Sequence, residues 1–157
     1  FEKTDLNYLV KELASISMLS NENINVEIEV PKRKLYAIVD ANQIRQALLN
    51  ILSNAIYSIN EVNKLGQKNR NKLQIKLSKN KLEYNISVID TGAGLPKNIS
   101  DDLTAPYVTS KKDGTGLGLA IVKKIMEDHQ GTLELKNLEK SSGVCAILKF
   151  KSNDKFK

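Results

Sequence analysis

Residues 40–59, DANQIRQALLNILSNAIYSI, place an apolar side chain at every third or fourth position. This spacing predicts one amphipathic helix whose apolar stripe packs on a core. The stripe consists of Ile44, Ala47, Leu48, Ile51, Leu52, Ala55, Ile56 and Ile59. Asp40 stands where such a helix needs an N-cap. We therefore expect the rest of the chain to be organised around this helix.

Another face of the same helix carries uncharged polar side chains. Gln46, Asn50, Asn54 and Ser58 are four residues apart, so their polar ends form one line. A solvated helix face usually carries Lys and Glu, and asparagine is a poorer helix former. This amide row indicates either water-facing or locally hydrogen-bonded asparagines, or a bound polar ligand.

The composition fits one soluble domain. The chain has 157 residues, of which 41% are hydrophobic, and this is enough for one core. Its net charge is +6, but the basic residues are dispersed and no nucleic-acid-binding motif accompanies them, so we expect no nucleic-acid partner. A single cysteine, Cys145, excludes an intramolecular disulfide and favours a reducing compartment. The chain begins at Phe1 without Met, so we expect a part of a longer protein.

Periodicity predicts three helices and six strands. The predicted helices are residues 5–19, 40–59 and 116–130, and the predicted strands are residues 24–30, 35–40, 73–78, 82–89, 132–135 and 144–150. Residues 60–71 are expected to form an exposed loop, and residues 151–157 a loose polar tail. Helices segregated against a mostly antiparallel sheet make an α+β two-layer sandwich.

Two glycine-rich segments flank a weakly patterned stretch, residues 95–115, whose length is typical of a functional lid. In DTGAG, residues 90–94, a carboxylate ends a strand and two glycines let a flat ligand approach, although Asp-Thr-Gly is also ordinary turn chemistry. In GTGLG, residues 114–118, the glycines precede a helix whose free N–H groups attract anions. The second segment lacks the spacing of a P-loop or of a dinucleotide fingerprint.

In order and spacing, these pieces resemble the ATP-binding catalytic domain of sensor histidine kinases, in the superfamily that includes gyrase, Hsp90 and MutL. Residues 40–59 are similar to its N box, residues 88–96 to its G1 box and residues 114–131 to its G2 box. The resemblance implies one catalytic domain over residues 1–150 with the Bergerat fold, a mixed, mostly antiparallel sheet on about three helices. Residues 95–115 would be the ATP lid. The subgroup that the chain most resembles is the NtrY-type nitrogen-regulation kinases.

The resemblance also implies ATP and Mg²⁺ as ligands. Asn54 corresponds to the Mg²⁺-binding asparagine, Asn50 to the catalytic asparagine near the γ-phosphate, and Asp90 to the adenine-binding carboxylate. The other predicted ATP-binding residues are Thr91, Gly92 and Gly94 in the G1 box, Tyr107 in the lid, and Gly114, Thr115, Gly116, Leu117 and Gly118 in the G2 box.

Three positions depart from the family's pattern. Tyr107 occupies the F-box position, and Ala105 stands where related kinases often carry an acidic residue. Tyr57 stands where many members have a lysine near the phosphates. Phosphate contacts would then come from Lys111, Lys112 or the backbone.

The residue at position 50 separates a kinase from a hydrolase. Hydrolytic members of the superfamily carry there a glutamate that acts as general base for water, and the neutral amide of Asn50 cannot take the proton. The resemblance therefore implies phosphoryl transfer from Mg²⁺-ATP to a histidine nitrogen. His129, the only histidine, is predicted to be structural, so the acceptor would lie on a separate dimerisation domain before residue 1.

The implied partners are that histidine-bearing dimerisation domain and a response regulator. The whole protein would be a homodimer anchored in the inner membrane, with this part a cytoplasmic monomer that binds ATP without autophosphorylation. One alternative is a nucleotide-binding regulatory module that has lost kinase activity, given Ala105 and Tyr57. A second is a gyrase-like or MutL-like ATPase acting on nucleic acid, which the positive charge favours and Asn50 disfavours.

Overall fold

A computed structural model describes residues 1–66, 71–96 and 116–152. Three helices are described: α1 at Leu6–Ser20, α2 at Ala41–Lys64 and α3 at Gly118–Asp128. The strands are β1 at Glu2–Asp5, β2 at Asn25–Glu29, β3 at Tyr36–Val39, β4 at Lys72–Lys79, β5 at Glu83–Asp90, β6 at Thr132–Asn137 and β7 at Val144–Lys151. Most of the predicted lid, residues 97–115, and of the predicted tail, residues 153–157, lies outside the described residues.

Five strands form the main sheet in the order β2-β4-β5-β7-β6. All neighbouring pairs are antiparallel except β2 and β4, which are parallel and are joined by the long crossover through β3 and α2. The strands alternate buried and partly exposed side chains, and the buried ones pack against the helices. On the opposite face, ion pairs join Glu27 to Lys72 and Glu29 to Lys76. The predicted α+β two-layer sandwich is confirmed.

Helix α2 ends later than its apolar pattern predicted. The structure continues it to Lys64, so the prediction of a loop over residues 60–71 was wrong at its start. Val62 extends the apolar stripe by one turn and is only 4% exposed, and Glu61 pairs with Lys64 on the outer side. The start of α2 agrees with the predicted N-cap at Asp40, because Asp40 Oδ1 accepts hydrogen bonds from the N–H groups of Asn42 and Gln43.

A small second sheet was not predicted in full. Strand β1 pairs antiparallel with β3, with Glu2 opposite Val39 and Asp5 opposite Tyr36. The segment EKTD contains no apolar residue, so no alternation reveals it as a strand, and only its pairing with β3 defines it. This sheet brings Phe1 beside His129, where the ring centroids lie 4.7 Å apart.

Candidate functional site

The amide row of α2 connects two loops that are distant in sequence. Asn50 and Ser58 are eight residues apart, which corresponds to about 12 Å along a helix. At one end, a Cβ added to Gly118 would lie 3.7 Å from Asn50 Oδ1, so Asn50 faces the start of α3. At the other end, Ser58 Oγ accepts a hydrogen bond from Ala93 N–H at 3.0 Å. Gln46, the first member of the row, is exposed to solvent.

The two central amides are available to a ligand. Asn50 and Asn54 are half-buried, and neither side chain forms a hydrogen bond to any residue in the described ranges. A half-buried amide can bond to water as well as to a ligand. The described residues thus show no locally hydrogen-bonded asparagine pair, and water or a bound polar ligand remain as partners of these two amides.

Asp90 is the last residue of β5 and lies at the adenine end predicted from sequence. Asp90 is only 5% exposed. Oδ1 accepts hydrogen bonds from Gly92 N–H at 2.8 Å and Val144 N–H at 3.4 Å. Burial raises the pKa of this carboxyl, and the two hydrogen bonds oppose the rise. No described residue donates to Oδ2, so this oxygen can accept from an amine on a ligand.

We call residues 90–95 the Asp90 loop. A Cβ at Gly92 would lie 2.1 Å from Ser58 Oγ and 2.9 Å from the Ser58 carbonyl carbon, so only glycine permits this approach to the backbone of α2. Gly94 has φ +87°, a conformation that favours glycine. The Thr91 hydroxyl accepts a hydrogen bond from Lys72 N–H at 3.0 Å and thereby joins the loop to β4. Binding of ATP by Thr91, Gly92 and Gly94 stays a prediction.

The N-terminus of α3 is suited to an anion. Among the residues that the structure describes, no side chain forms a cap hydrogen bond at this terminus, and the first turn of α3 contains no acidic side chain. Gly116 has φ +72°, which turns the chain into the helix at Gly118. Helix N-terminal N–H groups attract phosphate oxygens. The predicted residues Tyr107, Gly114 and Thr115, together with Ala105, Lys111 and Lys112, lie outside the described residues, and their roles stay predictions.

His129 connects α3 to the start of α2. It is 8% exposed. Nδ1–H donates to Ile125 O at 2.7 Å, since a carbonyl can only accept, and Nε2 accepts from Asp40 N–H at 3.1 Å. Both ring nitrogens are therefore engaged in a neutral tautomer. This geometry supports the predicted structural role, although the contact with Asp40 had no signal in the sequence.

Sequence reasoning also missed two residues beside the Asp90 loop. Asn137 Oδ1 accepts a hydrogen bond from Leu95 N–H, and Ser142 Oγ–H donates to Gly92 O. Both lie where β6 turns into β7, a polar turn with no motif of its own. Only the pairing of β7 with β5 brings this turn to the loop.

A family model described as "Histidine kinase-, DNA gyrase B-, and HSP90-like ATPase" matches residues 39–154. The chain belongs to this family. One relative of this histidine kinase-type domain is an NtrY-like sensor histidine kinase of Rickettsia felis, 34% identical over 94% of this chain and 24% of the relative. Another is the nitrogen regulation protein NtrY of Azorhizobium caulinodans, 34% identical over 96% of this chain and 19% of the relative. The chain thus spans a quarter or less of these relatives.

Solved structures show the same fold. The nucleotide-free catalytic domain of histidine kinase ThkA has a TM-score of 0.79 and 29% identity, with 96% of each chain covered. The mycobacterial sensor histidine kinase MprB, at 20% identity, has the same TM-score and supports the fold alone. The predicted family and its NtrY-type similarity are confirmed, and a family of ATPases supports ATP as a ligand of this domain.

Two kinds of feature are absent from the described ranges. No helix there is both long and apolar enough to cross a bilayer. Within those same ranges, no three His, Cys, Asp or Glu side chains come together as a metal site.

Substitution of Asp90 by Asn is expected to stabilise the free domain and to weaken binding of an adenine nucleotide. The Oδ1 of the introduced Asn would still accept from Gly92 N–H. Its NH₂ group would then occupy the position of Asp90 Oδ2, where a donor cannot accept a hydrogen bond from a ligand amine. Affinity for ADP, measured by calorimetry, should fall about tenfold or more. Asp128→Asn, which alters an exposed carboxylate on α3, should leave affinity unchanged.

The electrostatics of Asp90 determine whether Asp90→Asn raises or lowers the stability of the folded domain. Because the folded-state pKa of Asp90 is raised, its protonation favours the folded state, and this contribution is lost as pH rises through the folded-state pKa. Asp90→Asn should therefore have a higher urea midpoint than wild type at pH 7, and the difference should shrink as pH is lowered. A lower midpoint at pH 7 would contradict the unfavourable burial of the charged carboxylate.

Proposed function

We propose that this domain binds Mg²⁺-ATP and transfers the γ-phosphoryl group to a histidine on a separate dimerisation domain of the same protein. The observation that supports this most is the amide row of α2. The row runs from Asp90, an adenine acceptor, to the N-terminus of α3, an anion site, and it presents Asn50 rather than a carboxylate at the phosphate end.

Each part of the nucleotide has a matching group. Asp90 Oδ2 accepts from the exocyclic amine of adenine, and the N–H groups at the start of α3 bind phosphate oxygens. Asn50 lies beside Gly118 and orients the terminal phosphate. Transfer then depends on positioning and charge neutralisation, which is what phosphoryl transfer chiefly requires.

The residues present fit a magnesium ion. Asn54 offers a half-buried amide oxygen that makes no hydrogen bond to a described residue, and Mg²⁺ prefers hard oxygen ligands. Mg²⁺ usually takes few protein ligands because phosphates and water complete its octahedron, so a carboxylate cluster is unnecessary. Bound Mg²⁺ would neutralise phosphate charge and thereby favour attack by the acceptor.

The whole protein is proposed to be a sensor kinase in a two-component system. Its histidine-bearing dimerisation domain would receive the phosphoryl group and pass it to a response regulator. The whole protein would be a homodimer anchored in the inner membrane, and this domain would lie on its cytoplasmic side. The similarity to NtrY-type relatives over nearly the whole of this chain supports the sensor-kinase part of this proposal.

Asn54→Ala is expected to remove the Mg²⁺ dependence of nucleotide binding. Calorimetric titration with a non-hydrolysable ATP analogue, with and without Mg²⁺, should show Mg²⁺ enhancement in wild type and little in the variant. Gln46→Ala removes an exposed amide from the same row and serves as the control. Equal Mg²⁺ enhancement in wild type and Asn54→Ala would exclude Asn54 as the ligand.

Asn50→Glu is expected to shift the full-length protein from transfer towards hydrolysis. With γ-labelled ATP, wild type should form acid-labile, base-stable protein label, as phosphohistidine does. The introduced carboxylate can act as general base for water, so phosphate release should rise by about tenfold or more while protein label falls. Gln46→Glu adds the same charge one turn away and should change neither.

Failure of wild type to form protein label despite ATP binding would instead favour the regulatory-module alternative. Unchanged phosphate release in Asn50→Glu would contradict the view that the missing base suppresses hydrolysis.

A further inference from the structure

After Asp90, the last residue of β5, the Asp90 loop has no regular secondary structure, and most of its backbone hydrogen bonds are made with side chains. Gly92 N–H donates to Asp90 Oδ1 at 2.8 Å within the loop. Ser58 on α2 accepts from Ala93 N–H. The other two side-chain contacts come from residues 137–143, which we call the β6–β7 hairpin. The loop is therefore held between a helix and a hairpin.

Two side chains of the hairpin bond the loop directly. Asn137 Oδ1 accepts from Leu95 N–H at 2.8 Å, and a Cβ at Gly94 would lie 3.0 Å from the same oxygen. Ser142 Oγ–H donates to Gly92 O at 2.7 Å from a half-buried position. These contacts restrain both ends of the turn that follows Asp90.

The register of the sheet brings the hairpin to this place. The β5–β7 pairing reaches Ile89 opposite Cys145, so β7 begins beside Asp90. Gly143 has φ +137°, and an added Cβ there would lie 2.0 Å from Asp90 O. Only glycine allows this backbone contact, which also lets Val144 N–H reach Asp90 Oδ1.

We propose that Asn137 and Ser142 are positioning residues for nucleotide binding, because the β6–β7 hairpin holds the Asp90 loop in the shape that presents Asp90 Oδ2 to adenine. This inference rests on the proposed function. Ser142 and Asn137 touch the loop backbone rather than the nucleotide, so they act on affinity through Gly92 and Leu95. By thermodynamic reciprocity, nucleotide binding protects the hairpin's amides from exchange.

The domain itself offers matched variants for the test. Ser142→Ala and Asn137→Ala each remove one contact, whereas Ser141→Ala alters the exposed neighbour and Asn137→Asp keeps the Oδ1 acceptor. Loss of one hydrogen bond should weaken binding about fivefold. Calorimetry with ADP and with the ATP analogue should show the same loss for both ligands, because the effect lies at the adenine end. Ser141→Ala and Asn137→Asp should bind within about twofold of wild type.

Several outcomes would overturn the inference. Ser142→Ala binding within about twofold of wild type would do so, as would equal losses in Ser141→Ala and Ser142→Ala. A loss confined to the triphosphate would place the effect at the wrong end of the site. If wild type bound neither ligand, the proposed function would fail together with this inference, whereas binding by wild type with unchanged affinity in Ser142→Ala contradicts the inference alone.

Discussion

Packing of the apolar stripe of α2 against the sheet is the interaction on which the other parts of the structure depend. Ile44, Ala47 and Ile59 along this stripe are 0% exposed. Because side chains rotate by a fixed angle along a helix, burial of one face determines where every other face points. The amide row is therefore directed away from the core centre, with Ser58 bonded to the Asp90 loop and Asn50 facing the start of α3.

The same helix is held at its N-terminus and in its C-terminal half by contacts with distant parts of the chain. At its N-terminus, Asp40 N–H donates to His129 at the end of α3, and at its C-terminal half Ser58 bonds the Asp90 loop. Under the proposed function, a packed helix between the N-terminus of α3 and the buried carboxylate of Asp90 would fix the separation between the two ends of a nucleotide. Such preorganisation reduces the ordering that binding requires.

The fold was predictable where local patterns and packing agree. The stripe of α2 and the alternation of β4 and β5 are strong periodic signals, and Asp40 marks a helix start by its side-chain chemistry. Strand β1 was missed because EKTD becomes a strand only by pairing with β3. The end of α2 was misjudged because asparagines obscure the helical pattern, whereas burial of Val62 extends the helix.

The sequence supplies the motif residues of the candidate site, whose ligand-binding roles stay predictions, but not the contacts that support those residues. Asn50, Asn54 and Asp90 follow from spacing and from resemblance to a family. The contacts of Ser142, Asn137 and His129 arise from sheet register and helix packing between residues far apart in sequence. No local pattern encodes such contacts, so only the structure reveals them.

The most direct test of this account is amide NMR of the domain titrated with adenosine and, separately, with the Mg²⁺-bound ATP analogue. The account predicts that adenosine shifts the amides of Ser58 and Gly92, and that only the triphosphate also shifts those of Asn50 and Gly118. Shifts at Gly118 with adenosine, and none at Gly92, would contradict the assignment of the two ends of α2.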